Sequence, residues 1–516
     1  MRYSSLNDEE ILDAVDGHNK AIMDVITIDV NTDAFQTITD NDQNFHKIED
    51  GVLTGQKVII QLPDQRELQK LKVNTVYYDK NLDVTTYTGI VNDDKYSNFT
   101  LSVEKQKLIG TITKGQNLFT IKPVMRDTKR HTIAWIDKSL IIPYHDAEEK
   151  SESKTTINAE QADIKVYSPY NKVRILYLFG TNVSNPNALA ANITATFNTA
   201  LYNSGVNYKN SLMTAEVQVL PTDFGTDCRS AMKSKMKNRN SYFYDIDTRR
   251  ANAFADIVVS VAKGNVNFIC TGFSPYYGRI GGEAQLFLQS SNPWATFSDN
   301  YALGDLTATH EIGHIFNARH ANDANTLSQR AIVSNDSTQQ TTMGGYQYGN
   351  CNFVFSSGGV ASQSCVRLNV FSNHRPYNDN IFYPRQFNDG SFMGAYGYHN
   401  ERDVASYLQN TAFPTVANYV ANPPPPPNSP TLSVQSEYCY GLNSFTWSSV
   451  ANATEYRLYR SNYSWFAYPS LAYSGSLTTA FSNVSGTNYF KVQACNAGGC
   501  SAYSNRVTAS YYNGCQ

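Results

Sequence analysis

No cysteine occurs in the first 227 residues of this 516-residue chain, and there is no block of lysine and arginine and no apolar run of 18 residues. The missing apolar run excludes an ordinary membrane-spanning helix. The missing basic block, with 42 Lys and Arg against 45 Asp and Glu and a net charge of −3, leaves no electrostatic footprint for a nucleic-acid partner. The start, Met1-Arg2-Tyr3-Ser4 and then the acidic stretch to Glu10, lacks the apolar core of a signal peptide. A disordered chain is excluded by what is plentiful: 41% hydrophobic and 12% aromatic residues, enough for more than one core.

Charge is distributed unevenly. Residues 1–164 carry 19 Lys and Arg against 27 Asp and Glu, net −8, and residues 165–421 carry 19 against 16, net +3. The last 95 residues hold only six charges. One boundary falls in the polar stretch Ala147–Ala162, which reads as an exposed linker. The other is Pro423–Pro427, five residues without N–H donors that form a semi-rigid polyproline spacer. Four segments follow: residues 1–160, a middle region 165–421, a proline-rich linker 422–429, and a tail 430–516.

The eight cysteines divide four and four around the prolines: Cys228, Cys270, Cys351 and Cys365, then Cys439, Cys495, Cys500 and Cys515. Even counts suit disulfides in an oxidising, extracellular compartment. Spacing cannot choose the connectivity, and Cys495-x4-Cys500 also admits a zinc reading. Asp40-Asn41-Asp42-Gln43-Asn44 starts like a calcium loop, but Phe45 stands where glycine is required and Gly51 holds the twelfth position. Calcium is left open.

The middle region alternates strands and helices. Val173–Phe179 is a continuous apolar run suited to a buried strand. Asn185-Pro186 opens a helix whose Leu189, Ile193, Phe197 and Leu201 share a face, and Gly205 stops it. Leu212–Leu220, Phe254–Ala262 and, at an edge, Gly282–Leu288 read as further strands.

Three of only nine histidines fall between residues 310 and 320. In His310-Glu311-Ile312-Gly313-His314, positions i and i+4 of a helix aim two imidazoles at one ion, and Asp305 is placed to cap that helix. Glu311 follows the first histidine and can reach a metal-bound water without being a ligand. His320 reaches the same ion only if the chain turns back at Asn317, a residue that tolerates the left-handed conformation. Three imidazoles with a fourth position open describe a catalytic zinc site.

This stretch resembles the metzincin zinc signature HExxHxxGxxH, with Asn317 in the glycine position. The family's methionine turn is matched by Thr341-Thr342-Met343-Gly344-Gly345, with Met393 as the rival. Gly345 stands where some metzincins carry a tyrosine ligand, Tyr346 comes one later, and Asp323 lies three residues beyond His320. Val370-Phe371-Ser372-Asn373 and the helix-like Val404–Val420 resemble elements of the adamalysin/reprolysin branch. Thr86–Val124 is similar to its β-rich prosegment. The tail, with Trp447, Tyr456–Tyr459 and Tyr489–Cys500, resembles a fibronectin type III module, which favours disulfides there.

The resemblance implies an α+β metzincin catalytic domain (a twisted, mostly parallel mixed sheet with an active-site helix) between a β-rich prosegment and an all-β tail. It implies a secreted zinc endopeptidase made as a zymogen and acting on extracellular proteins. His310, His314 and His320 would be the zinc ligands, Glu311 the catalytic base, and Asn317 and Met343 structural residues. Tyr346, Val354 and Phe371 are candidates for the S1′ pocket. With no cysteine before Cys228, a cysteine switch is unavailable to the prosegment. His145 and Asp146, with Asp127 and Asp137 behind them, are the candidates to plug the zinc, and activation would fall between Glu148 and Tyr167. The alternative is an inactive adhesion protein on the same scaffold.

Overall fold

A computed structural model describes residues 22–30, 58–63, 68–79, 82–115, 117–124, 127–137, 172–206, 212–224, 227, 229–263, 282–284, 293–302, 306–320, 331, 339–343, 354–355, 361–362, 366–372, 404–420, 427–435, 442–466, 469–496 and 499–510. The linker 147–162, His145, Asp146, Tyr346, Met393 and all cysteines but Cys495 and Cys500 lie outside these residues. Two compact units divide the chain, Met1–Tyr419 and Val420–Gln516.

The first unit opens with eight strands: β1 (Ile22–Asp29), β2 (Val58–Ile60), β3 (Gln69–Asp79), β4 (Val84–Val91), β5 (Asp94–Glu104), β6 (Lys107–Lys114), β7 (Asn117–Val124) and β8 (Asp127–Asp137). They form one antiparallel sheet in the order β1-β8-β7-β6-β5-β4-β3-β2. Strand alternation sorts its faces. Tyr87, Phe99, Leu101, Val103 and Ile112 pack together. The opposite face carries buried hydroxyls, Thr86, Thr88, Thr100 and Ser102, with Thr86 and Ser102 2.7 Å apart.

A second sheet contains β9 (Val173–Phe179), β10 (Leu212–Val219), β11 (Ile257–Ala262), β12 (Gly282–Ala284) and β13 (Trp294–Ser298), in the order β10-β9-β11-β13-β12. All neighbours are parallel except the edge strand β12. A parallel sheet must be covered on both faces, and β9, β11 and β13 are buried throughout. The first helix, α1 (Pro186–Asn203), joins β9 to β10 and ends as its sequence suggests. Gly205 has φ 73°, and the N–H groups of Val206 and Gly205 reach the carbonyls of Leu201 and Tyr202, a Schellman stop. Asn185 sits at the other end but does not cap it. It is left-handed itself, and its Oδ1 accepts from Lys107 of the first sheet. β11 starts later than expected because Phe254 is in a turn at φ 50°, and Asp256 instead takes a buried ion pair with Arg174 at 3.1 Å.

α1 is buried almost all round because it lies between the two sheets. Leu82, Val84 and Ile109 join the core that also holds Leu189, Ile193 and Phe197. Asn192 donates to the Thr100 carbonyl at 3.1 Å, and Thr199 to the Thr88 hydroxyl at 3.3 Å. The closing segment is helical from Val404 to Val416 with a π turn at Leu408–Ala412. Pro414 accounts for the π turn: it has no N–H to give the carbonyl four residues back.

The second unit is a two-sheet sandwich. One sheet pairs Leu432–Gln435, Leu442–Trp447 and Thr479–Asn483. The other pairs Ser470–Gly475, Glu455–Ser461, Thr487–Asn496, Gly499–Cys500 and Val507–Ser510. Phe445, Trp447, Tyr456, Leu458 and Phe490 fill its core, so these aromatics are packing residues, whereas Trp465 is 73% exposed. Cys495 and Cys500 face each other across a strand pair and are joined by a disulfide, which removes them as zinc ligands. Among the described residues no helix is long and apolar enough to cross a membrane.

Candidate metal centre

The site is built on a short helix, α2 (Thr307–Ile315), packed beside β12 and β13. The residue ahead of it is Leu306, at φ 60° with no side-chain cap, and Asp305, expected there as the cap, lies outside the described residues. The helix stops where the sequence requires a turn. Asn317 has φ 61°. The Ala318 N–H reaches the Gly313 carbonyl at 3.0 Å and the Asn317 N–H reaches that of His314 at 2.8 Å, again the Schellman pattern. The chain thereby turns back and returns His320 to the helix.

His310, His314 and His320 are brought together with all three Nε2 atoms converging, 3.0 to 3.1 Å apart. Two of the rings are fixed from behind. The His310 Nδ1 lies 2.9 Å from the Thr342 carbonyl and the His314 Nδ1 2.8 Å from the Ala318 carbonyl. A carbonyl only accepts, so each Nδ1 carries the proton and each Nε2 presents a lone pair to the centre. Converging lone pairs repel one another unless a cation lies among them. Tetrahedral zinc with Zn–N bonds of about 2.0–2.1 Å spaces its nitrogens about 3.4 Å apart, so the donor set and its dimensions fit that ion. The three residues form the group suited to a metal among the described residues.

Glu311 is buried between the first two histidines in sequence, with the edge strand against it. A Cβ built on Gly282 would lie 2.7 Å from its Cγ. The next residue, Glu283, pairs on α2's far side of the sheet with Lys233 of the helix Arg229–Asn238, 3.1 Å away and almost fully buried.

Met343 is fully buried beneath α2. A Cβ at Gly313 would lie 2.4 Å from its sulfur, so glycine there is what lets the methionine turn approach. That turn is held in place by the Thr342 N–H on the Val370 carbonyl and the Thr342 hydroxyl on the Leu368 carbonyl. Phe371 is fully buried in the core against Phe197, 5.6 Å between rings. It therefore lies under the helix with Met343 and does not line an open pocket. Ser372 accepts the Val404 N–H on its hydroxyl and the Ala405 N–H on its carbonyl, capping the closing helix. Asn317 reaches that helix too, its Nδ2 donating to the Tyr407 hydroxyl at 3.4 Å. Val354 belongs to a short strand whose side chains are not described, as are the side chains of Asp127 and Asp137.

The sequence singled out the three histidines that the structure brings together and missed the groups that orient them. The Thr342 and Ala318 carbonyls carry no residue signature. Gly282 had one faint signal, the Gly281-Gly282 pair at the start of an edge strand.

Residues 177–354 match the family model Reprolysin_5, Metallo-peptidase family M12. The match covers about a third of the chain and takes in the end of β9, the other four strands of its sheet, α2 and all three histidines. The middle region carries a metallopeptidase domain. A comparison with curated proteins finds no match. Solved structures similar to part of the chain include an FN3tt mutant, 26% identical over 17% of this chain and 96% of its own length, TM-score 0.14. Another is the sixth fibronectin type III domain of human fibronectin type III domain containing protein 3, 18% identical over 17% of this chain and 90% of its own, TM-score 0.16. A third is an Fn3-like protein from Clostridium thermocellum, 18% identical over 18% and 96%, TM-score 0.15. TM-scores so low carry no argument, and the tail's sandwich rests on its own strand pairing.

Proposed function

We propose that the chain is a secreted zinc endopeptidase of the reprolysin-like metzincin type, made as a zymogen and acting on extracellular proteins. The observation that carries this reading is the convergence of the three Nε2 atoms at 3.0 to 3.1 Å, with two Nδ1 protons held by carbonyls behind them. Zinc held by His310, His314 and His320 would supply a Lewis acid that polarises the scissile carbonyl and acidifies a water. Glu311 takes the proton of the attacking water and delivers it to the leaving amine. Its burial beside α2's neighbour β12 supports that role, since a carboxylate fixed in a dry setting is set up for directed proton transfer. Asn317 shapes the turn that returns His320, and Met343 supports the helix from below.

The outer edge of β12, the last strand of this sheet among the described residues, aligns an extended peptide by backbone pairing. Residues 1–160 act as the prosegment, seated on α1 through Asn192 and Thr199, and the disulfide in the tail supports an oxidising compartment. The inactive-scaffold alternative leaves unexplained why the ligand set and Glu311 are both intact.

The test is hydrolysis of an unfolded protein substrate by chain cleaved between Glu148 and Tyr167, with and without a zinc chelator. Cleavage that the chelator abolishes and added zinc restores is expected. Cleavage indifferent to the chelator, or none with zinc bound, contradicts the proposal.

A further inference from the structure

Gly282 is the first residue of the edge strand β12, and its Cα hydrogen faces Glu311. A Cβ there would stand 2.7 Å from Glu311 Cγ, 3.1 Å from Glu311 Cδ and 3.1 Å from Phe297 Cβ. Real Cβ atoms do not sit that close to a neighbour, so something must shift. Three observations decide what. The backbone is not the obstacle, because Gly282 is absent from the positive-φ glycines and an alanine fits its strand conformation. The strand is not free to retreat, because alternation turns Glu283 to the opposite face, where it is tied to Lys233 at 3.1 Å with both side chains 10% exposed or less. Its other face is committed as well, with Ala284 in the core that includes Ile312 and Phe297, and with Gly282 paired to Phe297 in the ladder. The group left to yield is the Glu311 side chain.

We infer that Gly282 is a positioning residue for Glu311: the absence of a side chain on the edge strand, backed by the Lys233–Glu283 pair, fixes where the carboxylate stands. This rests on the reading of Glu311 as the proton carrier and deepens it. The clash is at Cγ, the middle of the side chain, so relief by rotation displaces the carboxylate by about 1 Å, and misplacement of that size costs on the order of 100-fold in rate. Zinc ligation uses other side chains and is unaffected.

The experiment compares Gly282→Ala, Glu311→Ala and the double variant, with zinc content and melting temperature measured on the full chain, and kcat and KM on a peptide measured after cleavage between Glu148 and Tyr167. Gly282→Ala is expected to keep one zinc per chain and a KM within about threefold, with kcat down about 100-fold and a lowered melting temperature. In the Glu311→Ala background only the 3.1 Å approach to Phe297 Cβ remains, so adding Gly282→Ala should cost clearly less melting temperature than it does alone. If Gly282→Ala alone fails to fold, the double variant is expected to fold. An equal melting loss in both backgrounds, failure of both to fold, or full kcat in Gly282→Ala overturns the inference. The melting comparison needs no catalysis, so a chain without peptidase activity would refute the proposed function and leave this contact still testable.

Discussion

Replacing Asn317 tests how the third histidine is delivered. The residue is left-handed at φ 61°, and an alanine forced into that conformation costs about 1–2 kcal/mol. Without zinc, the Asn317→Ala turn escapes the cost by unwinding, which carries His320 away from His310 and His314. Zinc must then restore the turn, so its affinity falls by about 5- to 30-fold, the equivalent of 1–2 kcal/mol. Asn317→Gly gives the opposite forecast. Glycine adopts the conformation freely, the bond lost to Tyr407 is long at 3.4 Å, and the Asn317 Oδ1 removed is buried without a hydrogen-bond partner among the described residues. Zinc affinity within about twofold of the parent is expected, since the gain and the loss offset. Competition against a chromophoric zinc chelator reads both. Parental affinity in Asn317→Ala, or weaker binding in Asn317→Gly than in Asn317→Ala, would refute the reasoning.

Gly313→Ala should lower the melting temperature even though alanine favours a helix by about 1 kcal/mol, because its methyl meets the Met343 sulfur and overpacking costs about 1–3 kcal/mol. Combined with Met343→Ala the losses should fall short of their sum, and strict additivity would show that the methyl meets something else. A chain cut between Glu148 and Tyr167 should co-elute with its N-terminal sheet on gel filtration, and Asn192→Ala, which removes the hydrogen bond to the Thr100 carbonyl, should promote separation. Equal retention in both would mean the polar contacts do not hold the sheet. In the tail, the Arg457 hydrogen bond holds the Glu455 carboxyl below its ordinary value near 4.5. A lowered folded pKa contributes stability that is complete above about pH 4.5 and is lost as pH falls through the folded value. Glu455→Gln should flatten the acid limb of an isolated tail's melting curve, and an unchanged limb would assign that limb to other groups.

What could be read in the sequence was set by how local the cause is. The i, i+4 spacing of His310 and His314 is a property of one helix, and the apolar runs of β9 and β11 follow from burial on both faces. Gly205 and Asn317 were legible as turns because few residues accept positive φ. Leu306, also at φ 60°, was not, since nothing in leucine's own chemistry favours that backbone and the surrounding fold must impose it. Asn185 has the chemistry of a cap, but Lys107, 78 residues earlier, takes its oxygen. The same limit hid Ser372 as the cap of a helix 32 residues on, the carbonyls behind the histidines, and Phe371 as core. Each depends on a partner distant in sequence, and a pattern of residue types does not contain the distance.

The central claim, that His310, His314 and His320 hold zinc while Glu311 moves the proton, is tested most directly by zinc content and peptide turnover measured on the same preparations of Glu311→Ala and His320→Ala. The account predicts that Glu311→Ala keeps one zinc per chain and loses nearly all turnover, and that His320→Ala loses zinc and turnover together. Substantial hydrolysis by Glu311→Ala, or parental zinc affinity in His320→Ala, would contradict it.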